Sequence, residues 1–108
     1  MRAVVGILRK GKSASRGESV PRPTVLFDSW RQLAGVLSDE NRQLLRVIRD
    51  SEPRTVMELA QLSGRAASNL SRTLRTLEAY GLVKLHRSME SRAVKPEALA
   101  TEFLVVLD

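Results

Sequence analysis

The sequence predicts a mainly α-helical domain with a small β-sheet, on three observations. Thr55 to Tyr80 carries two apolar helical periods separated by Ser63-Gly64. Apolar Leu82, Val83 and Leu85 and then Ala93-Val94 flank a polar stretch, as the arms of a hairpin flank its tip. Basic side chains collect on the second helix and on that hairpin. Two short helices around a tight turn, followed by a basic hairpin, make the outline of a winged helix-turn-helix.

Taken in chain order, Arg2 to Leu8 has the β-branched content of a strand. GKSASRGESVPRP, residues 11 to 23, is too poor in apolar groups to fold alone and reads as a linker or basic arm. Phe27, Trp30, Leu33, Ala34 and Leu37 recur at helical spacing and predict a scaffold helix, with Trp30 in the core. Ser38 caps the next helix, whose Leu44, Leu45, Val47 and Ile48 face inward. Thr55 caps a third, in which Glu58 can reach back to the cap amide and Val56, Leu59, Ala60 and Leu62 form the apolar side; Met57 is also expected in the core. Gly64 ends that helix. From Ala66 the period resumes at Leu70, Leu74 and Leu77 and runs to Tyr80, where Gly81 stops it. The hairpin tip falls near Ser88 to Glu90, and Pro96 interrupts the returning strand. Glu102 to Leu107 predicts a final strand.

The polar side of the fourth helix carries the functional expectation. At 100° per residue, Arg65, Ser68, Asn69, Arg72, Arg75 and Thr76 lie opposite the leucine stripe, with no acid before Glu78. A solvated helix ordinarily mixes both signs as i,i+4 pairs. Reading DNA asks for this other set: arginine for guanine O6 and N7, asparagine for adenine N6 and N7, and hydroxyls for either base edges or phosphates. Arg87 and Arg92, flanking the hairpin tip with Lys84 and Lys95 beyond, would meet phosphates or a minor groove.

These residues resemble the winged helix-turn-helix regulators of the MarR and ArsR type. The element order matches, as do ELAQLSG across the turn and LRTLEAYGLVKL from recognition helix into wing, and the likeness extends from Phe27 to Pro96. It implies a transcriptional regulator that binds double-stranded DNA, with Arg65, Ser68, Asn69 and Arg72 reading the groove and Arg87 and Arg92 on the wing. Metal-sensing members hold their metal with cysteines or clustered histidines. This chain has no Cys and only His86, so no metal or other cofactor is expected. Similar compact regulators include suspected antitoxins, which adds a toxin protein to the partners the resemblance implies.

Composition narrows the field further. A chain of 108 residues, 43% hydrophobic, holds one modest core, here divided into a strand and arm over 1–23, a DNA-binding domain over 24–96 and a dimerisation strand over 97–108. No apolar run approaches the length of a membrane span and no signal-peptide pattern is present, so no membrane partner and a cytoplasmic location are expected. The net charge is +6: residues 1–20 carry five bases and one acid, 54–81 four and two, 82–95 four and one, whereas 96–108 carry three acids and no base. A positive arm, reading helix and wing suit a polyanion. Terminal strands leave open edges unless they pair with each other or with a second subunit, and a homodimer is the economical solution.

One rival signal competes. Gly6 to Ser13, GILRKGKS, matches the phosphate-binding G-x-x-x-x-G-K-[ST] pattern, and the chain ends on an apolar run closed by Asp108. Such a loop must open a helix, yet Gly17 and Pro21 follow where its interior would lie. A nucleotide-binding core also needs several parallel strands, which the sequence does not predict. No nucleophile, carboxylate pair or metal-ligand cluster supports any other chemistry, and the chain is not expected to be an enzyme.

Overall fold

A computed structural model describes residues 2–7, 23–90 and 93–106. It is a mixed α/β structure with the order β1 (Arg2–Ile7), β2 (Val25–Phe27), α1 (Trp30–Val36), α2 (Asp39–Ser51), α3 (Val56–Ser63), α4 (Ala67–Ala79), β3 (Val83–Arg87), β4 (Val94–Ala98) and β5 (Glu102–Val105).

Local chemistry sets the helix boundaries. Ser29, Ser38 and Thr55 each accept a hydrogen bond from the amide three residues on, at 3.1, 3.2 and 3.0 Å, and so cap α1, α2 and α3. Glu58 does not return to the cap amide of Thr55; its Oε1 accepts from the Arg54 amide at 3.3 Å, one residue earlier. Gly64 ends α3 at φ 74° and Gly81 turns the chain after α4 at φ 75°, a region that costs glycine nothing. Glu52 makes the same left-handed turn after α2 without being glycine, at φ 46°. Its amide is held by the Ile48 carbonyl at 3.0 Å.

A single core joins the elements. Leu44, Leu45 and Ile48 of α2, Leu59 of α3, and Leu70, Leu74 and Leu77 of α4 are buried together with Leu82, Val83 and Ala98. The leucine stripe of α4 is thus where the 3.6-residue period puts it. Burial of each such side chain contributes about 1.5–3 kcal/mol.

Several expectations fail for tertiary reasons. Phe27 belongs to a strand, β2, and not to the first helix, which starts at Trp30. Its ring is fully buried and stacks on Tyr80 with centroids 4.6 Å apart, tying β2 to the end of α4. Trp30 and Met57 are 54% and 65% exposed, so neither is core, and Leu62 is half exposed. Each lies on a short helix whose single buried position is taken by another residue, Val36 in α1 and Leu59 in α3. Pro96 does not interrupt β4. It pairs with Leu85 at a position where the Leu85 amide points outward to Glu78, so the missing proline N–H is one the ladder does not use.

The terminal strands meet within the chain. β1 is the centre of a three-stranded, wholly parallel sheet of order β2-β1-β5, with Val5 opposite Val25 on one side and Ala3 opposite Phe103 on the other. Ala3, Val5, Val25 and Phe27 are buried and join the core. The sequence left open whether these strands pair within or between subunits, and they pair within. It also did not foresee a parallel sheet.

Candidate functional site

Five of the eight residues picked from the sequence stand exposed on α4: Ser68, Asn69, Arg72, Arg75 and Thr76 share one side, opposite Leu70, Leu74 and Leu77. Arg72 and Arg75 have no side-chain hydrogen bond or ion pair to any described residue. The Thr76 hydroxyl donates to the Arg72 carbonyl at 3.2 Å, the bond a helical threonine makes one turn back. This surface offers hydrogen-bond donors and positive charge in water, with no acid paired to Arg72 or Arg75 among the described residues.

Unlike the other helices among the described residues, α4 begins without a side-chain cap, because Ala66 occupies the cap position. The first amides of a helix are unpaired within it and carry the positive end of its dipole. No acid lies in the first turn of α4, whereas α2 has Asp39 and Glu40 in its own.

Arg65 behaves differently from the others. It is half-buried in the turn before α4, and its guanidinium donates to Asn41 Oδ1 at 3.5 Å, Asn69 Oδ1 at 2.9 Å and Thr73 Oγ1 at 3.3 Å. Asn41 in turn donates through Nδ2 to the Val36 carbonyl at 3.1 Å. The bonds run from the end of α1 through the start of α2 into α4. Sequence reasoning missed Asn41 and Thr73, and no local signal marks a partner 24 positions from Arg65.

The hairpin is fastened to the same helix. Glu78 of α4 accepts from the Leu85 amide at 3.2 Å and its other oxygen lies 4.0 Å from Arg87 Nη2. Arg87 therefore sits on the α4 side of β3, still mostly exposed. Arg92 lies outside the described residues. Lys84 and Lys95 are exposed along the strands.

A concavity of about 580 Å³ lies between the end of α2 and the hairpin. Ile48, Pro96 and Ala98 give it an apolar part, and Arg49, Glu52, His86, Lys95 and Glu97 line the rest. Its charges are mostly matched. His86 Nε2 is 2.7 Å from Glu97 Oε1, and Arg49 binds Asp50 at 2.8 and 3.3 Å while reaching the buried Thr101 at 3.3 Å. The hydrogen bond and charge of Asp50 raise the Arg49 pKa, and the bond from Arg49 lowers that of Asp50.

Among the described residues there is no grouping of His, Cys, Asp or Glu that could hold a metal ion, and no helix is long and apolar enough to cross a membrane. Of the phosphate-loop pattern only Gly6 and Ile7 are described. Gly6 lies inside β1, opposite Leu26, and a Cβ there would come within 2.8 Å of the Pro23 ring, so packing alone accounts for the glycine.

A search of curated proteins finds no match. Residues 36–104, from the last residue of α1 to the body of β5, match the family model HVO_A0114, and the chain belongs to that family.

Proposed function

We propose that this member of the HVO_A0114 family is a winged helix-turn-helix protein that binds double-stranded DNA by sequence, acting as a cytoplasmic transcriptional regulator broadly of the MarR and ArsR kind. In this reading α3 and α4 are the two helices of the motif, α4 enters the major groove and the β3–β4 hairpin is the wing. The observation that carries it is the exposed side of α4, where Ser68, Asn69, Arg72, Arg75 and Thr76 stand together and both arginines lack a carboxylate partner among the described residues. Side chains of these types donate to base edges and phosphates. The uncapped start of α4 adds amides suited to a phosphate, and Arg87 adds charge from the wing.

Selection of bound sites from random duplex DNA tests the proposal directly. The expected result is an enriched motif whose base preferences relax in Arg72→Ala and Asn69→Ala. Failure to enrich any sequence, with the protein folded by circular dichroism, sinks it.

A homodimer remains part of the proposal, with two copies of α4 engaging half-sites about one DNA turn apart. Its support has moved from the terminal strands as such to the outer edges of β2 and β5, which carry no partner among the described residues. Because β5 also pairs with β1, truncating it would disturb the fold, and light scattering on the intact chain measures the oligomeric state. A toxin protein on the same edges is the other partner the resemblance suggests, and co-purification with the product of a neighbouring gene would reveal it.

Nucleotide binding through Gly6 to Ser13 is the second reading, and one observation favours it. The parallel sheet removes the objection that such strands are missing, since β1 and β5 end on the same side. Against it stand the paired, sterically required Gly6 and the helix-breaking residues that follow. Calorimetry with magnesium-ATP should show no saturable heat; micromolar binding that Lys12→Ala removes would establish the enzyme reading instead.

A further inference from the structure

The network at the start of α4 bears on which base edges the helix can take, an inference that rests on the DNA-binding reading. A guanidinium has five N–H donors and no acceptor. An asparagine beside it must therefore present its oxygen, and Asn69 does so, Oδ1 lying 2.9 Å from Arg65 Nη2. The Nδ2 donors are what remains for a ligand. Asn41 is oriented by the same logic, its oxygen to Arg65 and its NH2 to the Val36 carbonyl, so the whole relay has one sense. Thr73 accepts the guanidinium from the next turn of α4.

Adenine is read by asparagine only when the amide both accepts from N6 and donates to N7. With Oδ1 held toward Arg65, Asn69 keeps both Nδ2 donors but only one lone pair, in a direction set by that bond, for the exchange. Arg72 and Arg75 can only donate, whereas Thr76, whose proton goes to the Arg72 carbonyl, has only lone pairs left to offer. Ser68 is the one side chain of the group whose hydroxyl can turn either way. We propose that Asn69, Arg72 and Arg75 make the exposed side of α4 a mainly donor surface selective for acceptor edges, guanine O6 and N7 above all, and that Arg65 is a positioning residue, held by Asn41, that turns the Asn69 oxygen away from adenine.

The test is site selection from random duplexes with the full chain and three variants. Wild type should enrich guanine at the position that responds to Asn69→Ala. Arg65→Ala frees the amide and should move that position toward adenine, changing the guanine-to-adenine ratio by about tenfold or more. Asn41→Ala leaves α4 itself unaltered and should move it in the same direction by less. Arg65→Lys, which keeps a donor-only group, should retain guanine, an outcome that a purely packing role for Arg65 does not predict. Adenine at that position in wild type, or no change of base in either alanine variant, overturns the inference while leaving an enriched motif and the DNA reading in place. Enrichment of nothing by folded wild type overturns both.

Discussion

Two sets of arginines in this chain look alike in sequence and differ in structure. Arg72 and Arg75 project from α4 with no partner among the described residues, whereas Arg49 is fastened to Asp50 and Thr101, and Arg65 to Asn41, Asn69 and Thr73. An unpartnered cation is open to a ligand of opposite charge. One already bridged to a neighbour holds the fold or another side chain in place. The difference separates candidate contact residues from candidate supports, a distinction that charge counting erases.

The largest expected effect falls on the unpartnered set. Arg72→Ala and Arg75→Ala should each weaken discrimination among DNA sites by about 1–3 kcal/mol where the arginine makes a two-bond base contact. Stability should change by no more than about 0.5 kcal/mol, because both residues are exposed. Competition binding and thermal unfolding on the same preparations measure the two. A large loss of stability would place these arginines with the supports and erase the contrast.

Leu74→Ala, on the opposite side of the same helix, should show the inverse. Its side chain is buried to 1% exposure, so truncation should cost about 2–5 kcal/mol of stability. Urea unfolding reads this. Base preference in whatever fraction remains folded should be unchanged.

Arg87 sharpens the comparison because it stands between the sets, exposed yet 4.0 Å from Glu78. Arg87→Ala should weaken binding to all duplexes by a similar factor and reduce the slope of log affinity against log salt by about 1, the signature of one lost phosphate contact. Titrations at several salt concentrations decide it. An unaltered slope would assign Arg87 to the supports, with Glu78 as its partner.

The smallest effect belongs to the Arg49–Asp50 pair. Bonding from Arg49 lowers the Asp50 pKa below its unfolded value, so the folded state gains from an ionised Asp50. That gain is complete above the unfolded carboxylate value and disappears as pH falls through the lowered folded one. Solvent screening keeps it small. Asp50→Asn should flatten this part of the acid limb in a pH series of melting temperatures, and an identical acid limb in the variant would mean the pair contributes nothing.

Much of the helical part was legible because its determinants are local. A cap and its amide lie three residues apart, an αL glycine acts at its own position, and the leucines of α4 repeat within one helix; accordingly Thr55, Gly64, Ser38 and the Leu70, Leu74, Leu77 stripe stand where the sequence puts them. The exposure of Ser68, Asn69, Arg72 and Arg75 follows from the same geometry. Periodicity was misleading where it ran across a boundary. Phe27 lies three residues before Trp30 and mimics a helical stripe, although Asp28 and Ser29 separate strand from helix.

The sequence by itself determined the local elements: the helices from Ser38 to Tyr80, the hairpin after them and the side on which each polar residue of α4 emerges. Only the tertiary structure decided that β1, β2 and β5 form a parallel sheet within one chain, that Trp30 and Met57 are left in solvent, and that the Arg65 side chain is tied to Asn41 while that of Arg72 has no partner among the described residues. The reason is sequence distance. Register among β1, β2 and β5 joins residues about 20 and 100 positions apart, and burial of one stripe depends on whichever element happens to cover it. A side chain's partner is likewise set by the meeting of separate helices, which no local pattern encodes.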